Sequence, residues 1–508
     1  MPETSDAGVG AGTGPARAAA ATTEAARSGA VGGPGRETPS QAGTGTRAGS
    51  GTGRSGAGAL AVEAAERDAK DPLAPLRDRF VLEDAAGDRT GAGPGPAATA
   101  GHDGEGDGPG APVVYLDGNS LGALPRSVAG RLAQVVGHEW GRLRIRSWTE
   151  SGWWTAPERV GERLAPLLGA APGQVVVGDS TSVNVFKAVV AAVRMAQSDR
   201  AADPASPPRD EILLDAATFP SDGYLADSAA RLTGCTVRAV HPGELAAAAG
   251  ERTAVALVNH VDYRTGRRHD LAGITAALHA AGAYAVWDLC HSAGALPVEL
   301  DAHGVDLAVG CTYKFLNGGP GSPAFLYVAS RHQERFDSPL PGWTSHADPF
   351  AMESGHTPAA GPTRGRVGTP DILSMLALEA ALEVWDGVDL HAVHAKSLEL
   401  GDFFLECVAA HTPPGTVRCV TPSAHDERGS QITLACPSAE AVMAELCRRG
   451  VVGDFRPPDL LRFGLTPLYT SFADVERAAR VLGEVLAGQD RPAGTVGGGL
   501  ADASEGDR

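Results

Sequence analysis

No C-x-x-C pair occurs among the seven cysteines, Cys235, Cys290, Cys311, Cys407, Cys419, Cys436 and Cys447. That excludes the usual zinc and dithiol-redox spacings, and the odd count fits scattered reduced thiols better than a disulfide framework. A cytoplasmic compartment is therefore expected. No apolar stretch approaches the roughly 20 residues needed to span a bilayer, so no membrane contact is expected. A charged-then-apolar leader is also missing, and Glu3, Asp6 and Glu24 argue against a transit peptide. Basic residues are in deficit: 43 Lys and Arg stand against 61 Asp and Glu, a formal net charge of -18. No basic stripe is left for a nucleic-acid partner.

Large apolar side chains are almost missing from residues 1–69, which are mostly Gly, Ala, Thr, Ser and Arg. Such a segment cannot bury enough surface to offset its ordering entropy, and we read it as a disordered extension. Residues 70–82 form the first expected helix, an amphipathic piece in which Leu73, Leu76, Phe80 and Leu82 can dock on a body elsewhere. Residues 83–112 return to Gly, Pro and Asp, including HDGEGDGPG, and read as a disordered insertion. The tail 488–508 has the same character.

What remains is a chain of 508 residues with 43% hydrophobic content, enough for a large core. From Val113 onward, apolar runs alternate with helical periods, which is the α/β signature. Buried strands are expected at Gln174–Val177, Glu211–Asp215, Thr236–Val240, Val255–Asn259, Tyr284–Asp288 and Asp306–Gly310, with a helix over Ser182–Met195. Their unbroken apolar character suits strands covered on both faces. Beyond Pro370, a helix carrying Ile372, Met375, Leu376, Leu382 and Trp385, a strand at Gln431–Leu434, a helix over Ala439–Leu446 and a last helix from Ser471 predict a smaller α+β domain.

In an open α/β sheet, ligands sit beyond the carboxyl ends of the strands, so polar residues that close apolar runs come first. Asp288 closes AYAVWD, where burying a carboxylate is costly without a partner. A pyridinium N–H would be such a partner, and so would the backbone of a following helix. The next run, DLAVG, ends in Cys311-Thr312-Tyr313-Lys314, placing an amine at the same edge. A lysine there is a solvated charge when taken alone, but lysine is also the side chain that forms an imine with an aldehyde cofactor. Gly178-Asp179-Ser180-Thr181-Ser182 lies where a strand turns into a helix, which makes either an anion site or an ordinary cap. Phe219-Pro220-Ser221-Asp222 follows ILLDAAT and reads as a turn, or as a stacking ring and an acceptor over a ligand.

YLDGNSLGALP (Tyr115–Pro125), DSTSVN (Asp179–Asn184), FPSD (Phe219–Asp222), WDLCHSAG (Trp287–Gly294), TYKFLNGGPG (Thr312–Gly321), Gly342-Trp343, GTPDIL (Gly368–Leu373) and RFGLTPLYTSF (Arg462–Phe472) follow one another in the chain. In that order they resemble the kynureninases, over about residues 113–485. The resemblance implies a fold-type-I, pyridoxal-phosphate-dependent transferase-like architecture. It comprises a segment 113–165 with substrate-end motifs, a large cofactor-binding domain at 166–345 with a mainly parallel seven-stranded sheet, and a linker with a small C-terminal α+β domain at 346–487.

It further implies that Lys314 is the Schiff-base lysine, that Asp288 partners the pyridine nitrogen, and that Tyr313 relays protons. Thr181, Ser182, Phe219, Asp222, His291, Tyr313, Trp343 and Thr369 would surround the pyridoxal 5′-phosphate with Asp288 and Lys314, Trp343 and Thr369 reaching in from the neighbouring subunit of a homodimer. Arg462 would clamp the carboxylate of an amino-acid substrate, with Asn119 and Ser120 at the same end. Taken alone, His291 reads as a structural hydrogen-bonder and Arg462 as an ion-pair residue; no metal site is expected. Two features depart from the family: the insertion at 83–112, and Thr369, where some relatives carry Asn. Rival readings are another fold-type-I enzyme, such as a desulfurase or aminotransferase, or a binding protein without turnover.

Overall fold

A computed structural model describes residues 55–82, 113–202, 205 and 207–489. The expected disorder of residues 1–54, 83–112 and 490–508 lies outside the described residues, whereas Gly488 and Gln489, expected in the disordered tail, end the helix Phe472–Gln489. A short parallel pair joins β1 (Val114–Tyr115) to a strand of the C-terminal region. The main sheet then forms from β2 (Val175–Val177), β3 (Glu211–Asp215), β4 (Thr236–Val240), β5 (Thr253–Asn259), β6 (Tyr284–Asp288), β7 (Leu307–Gly310) and β8 (Phe325–Val328). Its spatial order is β2-β8-β7-β6-β5-β3-β4, with β8 alone reversed against its neighbours.

Successive strand residues feed different cores. Ala256, Val258 and Trp287 face one layer with Val160, Leu164 and Ile274, while Val255, Leu257 and Val286 face the other against the helix Thr181–Ala202. That division accounts for the continuous apolar runs. One expectation is corrected: Thr236–Val240 is not buried but is the exposed edge of the sheet. Its Arg238 pairs with Glu211 at 2.8 Å, a charged edge that discourages further strand pairing.

The remaining strands, β9 (Arg418–Cys419), β10 (Gln431–Ala435), β11 (Val451–Val452), β12 (Asp454–Arg456) and β13 (Leu460–Gly464), complete the C-terminal region. Four make an antiparallel sheet ordered β12-β13-β10-β9, and β11 takes β1 as its parallel partner. Helices Leu390–His411, Ala439–Arg448 and Phe472–Gln489 close a third core over this sheet.

Two further corrections concern the N-terminal segment. Residues 55–69, expected to be disordered, belong to the helix Ser55–Lys70. Leu60 and Ala64 suffice to seat it because the acceptor surface is aromatic: Arg67 lies over the Phe403 ring, 4.8 Å from its centroid. Asp68 also caps the last helix, accepting from Phe472 N at 2.7 Å and Ala473 N at 3.0 Å. Of residues 70–82, expected to be a helix, Lys70 ends the helix Ser55–Lys70 and only the 3-10 turn Ala74–Arg79 follows as helical structure. Pro72 and Pro75 withdraw the N–H donors an α-helix needs. Docking of the segment does occur: Phe80 is buried edge-on to Tyr469, with centroids 5.0 Å apart.

Candidate active site

Strand register sets the centre of the site. Asn259 and Asp288 are paired at the carboxyl ends of β5 and β6, and Asp288 is paired with Val309 of β7, from which the chain runs on to Lys314. The Asp288 carboxylate is 5% exposed and has one donor on each oxygen. Asn259 Nδ2 donates to one oxygen at 2.7 Å, and Cys290 N donates to the other at 2.8 Å. Asn259 also reaches Asp222 at 3.4 Å, and Thr218 Oγ1 donates to Asp222 at 2.9 Å. Burial, and then the charge of Asp288, push the Asp222 carboxyl well above the usual range. Asp222 and Asp288 thus crowd one buried spot, and among the described residues neither forms an ion pair there. A cationic ring nitrogen fits that deficit.

Lys314 Nζ lies 3.0 Å from His291 Nε2. Burial first, and then the Lys314 charge, hold the His291 pKa well below its ordinary value, so the neutral ring accepts from the ammonium. Its Nδ1 is buried without a partner, one more polar group that a bound molecule would satisfy. Tyr313 is pushed up by burial and by Cys311 and Cys290, so its hydroxyl stays protonated. Thr181 opens a 22-residue helix, and Ser182 beside it is exposed, leaving hydroxyls and N–H groups at a positive dipole end. Phe219 is 43% exposed and edge-on to Tyr263 at 5.1 Å.

The substrate end is built from two distant segments. Gly464 N donates to Leu116 O at 2.7 Å, and a Cβ on Gly464 would stand 2.2 Å from Asn119 Oδ1, so the DGNSLG turn rests directly on β13. Arg462, 1% exposed, donates from Nη2 to Ser120 Oγ at 2.8 Å and from Nη1 to Tyr263 O at 2.9 Å. The Asn119 amide lies 3.2 Å from Arg462 Nε and 3.2 Å from an Asp117 carboxylate oxygen; the orientation that satisfies both turns its oxygen to the arginine. The other side of the turn meets the lysine segment: Gly122 N donates to Tyr313 O at 2.8 Å.

The structure therefore brings Asp288, Lys314, His291, Tyr313 and Asp222 to one sheet edge, and Asn119, Ser120 and Arg462 to a junction joined to it. Trp343 and Thr369 are brought to each other's loops instead. Thr344 donates to the Val367 and Gly368 carbonyls, and Trp343 stacks near Trp154, with centroids 5.3 Å apart. A cleft of about 1170 Å³ lined by His241, His260, His269 and Arg268, among others, contains none of the expected site residues. Sequence reasoning missed Asn259, although it too is a polar residue closing an apolar run, and Tyr263, which carries no such signal.

The sheet order and the chemistry at its edge define the class of pyridoxal-phosphate-dependent fold-type-I proteins. Solved structures agree on the fold. The cysteine desulfurase CsdA from Escherichia coli superposes with a TM-score of 0.64 at 19% identity, over 82% of this chain and 98% of that one. A cysteine desulfurase from Thermococcus onnurineus gives 0.61 at 17% identity, over 74% and 95%. Sequence relatives are nearer. A kynureninase of Deinococcus radiodurans is 48% identical over 84% of this chain and 96% of its own length, and one from Burkholderia pseudomallei 45% identical over 84% and 95%. Residues 393–482 match the kynureninase C-terminal domain. The chain belongs to the kynureninase family.

Proposed function

We propose that this chain hydrolyses the Cβ–Cγ bond of L-kynurenine, or of 3-hydroxykynurenine, giving anthranilate or 3-hydroxyanthranilate and L-alanine, with pyridoxal 5′-phosphate as cofactor. Family membership supports the reaction. The observation that carries it to these residues is the convergence of an amine, an acidic pair in charge deficit and a buried arginine on one connected site.

When bound, the cofactor supplies an electron sink for charge that develops on the substrate carbon. Lys314 would hold it covalently, Asp288 would keep its ring nitrogen protonated, Phe219 would stack on it, and Thr181 and Ser182 would donate to its phosphate, with Asp222 alongside. Lys314 Nζ moves the α-proton, and neutral His291 Nε2 keeps the amine aimed from 3.0 Å away. Tyr313, held protonated, donates to the group being hydrated. Arg462 fixes the substrate carboxylate with Asn119 and Ser120, so the reacting carbon is presented in one orientation.

The active species in this reading is a cytoplasmic homodimer, with Trp343 and Thr369 serving the other copy's site. Support for the dimer comes from the exposed rings of Trp343, 43% exposed, and Phe350, 65% exposed, whose centroids lie 6.2 Å apart.

The test is anthranilate fluorescence after adding kynurenine and 3-hydroxykynurenine in parallel. Turnover of either is expected, from a yellow protein whose band borohydride abolishes by trapping on Lys314. Silence with both substrates, or full activity in a colourless Lys314→Ala variant, overturns the proposal. Sulfide release from L-cysteine in their place makes desulfuration the activity of this site instead.

A further inference from the structure

Arg462 is already occupied. Its guanidinium has five N–H groups. Ser120, Tyr263 and Asn119 account for three contacts, and Asp454 Oδ2 takes a further one from Nη2 at 2.5 Å. A carboxylate that seeks the paired N–H groups of this fork must displace one of these acceptors. Asp454 is the one that competes in kind, being itself a carboxylate. Cross-strand register puts it directly opposite Arg462, on β12 against β13.

The same Asp454 oxygen also lies 2.6 Å from Arg456 Nη2 as an ion pair, so it is shared by two guanidiniums. Arg456 has capacity to spare. Its Nε is buried and has no hydrogen-bond partner, beside the Nη2 already on Asp454. Arg456 also acts on both Asp117 and His291, which places its charge toward the site. An Nε and Nη2 pair is the geometry that donates to both oxygens of one carboxylate.

We propose that Asp454 and Arg456 form a carboxylate-exchange device. In the resting site Asp454 neutralises Arg462; when the substrate carboxylate arrives, Asp454 shifts onto Arg456 Nε and Nη2 and frees the Arg462 fork. Asp454 and Arg456 are positioning residues that act through Arg462. The inference rests on the proposed role of Arg462 in binding the amino-acid carboxylate. Its chemistry balances without proton transfer, because one carboxylate replaces another on Arg462 while Arg456 gains the second oxygen of a carboxylate it already holds.

The test is a double-mutant cycle in kynurenine kinetics on the cofactor-loaded protein. Arg456→Gln leaves Asp454 nowhere to go, so KM rises about tenfold, as loss of a close charge partner allows, with the effect on KM rather than kcat. Arg456→Lys keeps the charge without the fork and falls between. Asp454→Asn removes the competitor, so its KM is no higher than that of the native chain. The decisive variant is Asp454→Asn with Arg456→Gln, in which KM returns toward the native value. A purely structural pair would instead show KM worsening in the double variant, and that result overturns the exchange. A double variant that does not fold leaves Arg456→Lys to decide: a native KM there also overturns it. Absence of turnover by the native chain is a separate outcome, which removes the reaction and the exchange with it.

Discussion

Replacing Gly122 by alanine should damage catalysis far more than stability. A Cβ built on Gly122 would stand 2.3 Å from Lys314 O, 2.5 Å from Asn317 Oδ1 and 2.7 Å from Asn317 Cα. Two of these are backbone atoms, and Asn317 is itself buried at φ +58°, so nothing nearby is a flexible side-chain end. Relief requires the turn and the lysine loop to part by about 1 Å, the order of misplacement that can cost about 100-fold in rate. The hydrogen bond from Gly122 N to Tyr313 O, 2.8 Å, stretches with it. Overpacking of this kind costs about 1–3 kcal/mol. Unfolding entropy scales with chain length, so the thermal midpoint of a chain this long falls by only about 1–3 °C. Steady-state kinetics with kynurenine and a thermal melt on the same preparation check both numbers. A variant with native kcat/KM would refute the claim that this turn positions the lysine, and one that unfolds outright would refute the ordering of the two effects.

Asp306 anchors the opposite end of β7. It accepts from His332 Nε2 at 2.7 Å, His279 Nε2 at 2.8 Å, Arg331 Nη2 at 2.6 Å and Ala285 N at 2.8 Å. Burial opposes its charge, but bonds from His279 and His332 outweigh burial and hold its carboxyl far below the usual carboxylate range. A depressed carboxylate contributes stability that is present above the unfolded pKa and lost as pH falls through the folded one. Asp306→Asn should therefore lower the melting temperature at pH 7 and flatten its decline in acid, and an unchanged acid limb would count against this. Leu60→Ala should cost about 2–3 kcal/mol by opening the seat of the helix Ser55–Lys70, with kcat unaffected; an identical melt would mean the helix adds nothing to the fold.

The strands that were legible were those written as short, unbroken apolar runs, because burial on both faces produces such a run and its length separates it from a helix. Glu211–Asp215 and Tyr284–Asp288 fall where the runs place them. Thr236–Val240 misled because its run sits at the sheet edge, a position that composition does not encode. The reversed strand Phe325–Val328 was passed over for a related reason: FLYV is short, and its direction depends on the loop before it rather than on its residues. The helix Ser55–Lys70 escaped because its stability lies in what it meets, the Phe403 ring and the bare N–H groups of the last helix, and not in its own apolar content.

The site divides along the same physical line. Asp288 and Lys314 could be paired from the sequence because one rule, polar residues closing adjacent buried strands, brings both to the same edge; Asn259 obeys that rule and was overlooked. Arg462 has no such local signature. It gains meaning only through Ser120, 342 positions away, and that contact exists because β1 pairs with β11 and Gly464 admits Asn119 against its backbone. Asp454 and Arg456 lie still further from legibility. They occupy a half-exposed three-residue strand, and only the register that sets Asp454 opposite Arg462 distinguishes them from surface charges. Residues that react are marked by the cost of burying them, whereas residues that set when a reactive group is free are marked by the partners they share, and partners are a property of the fold.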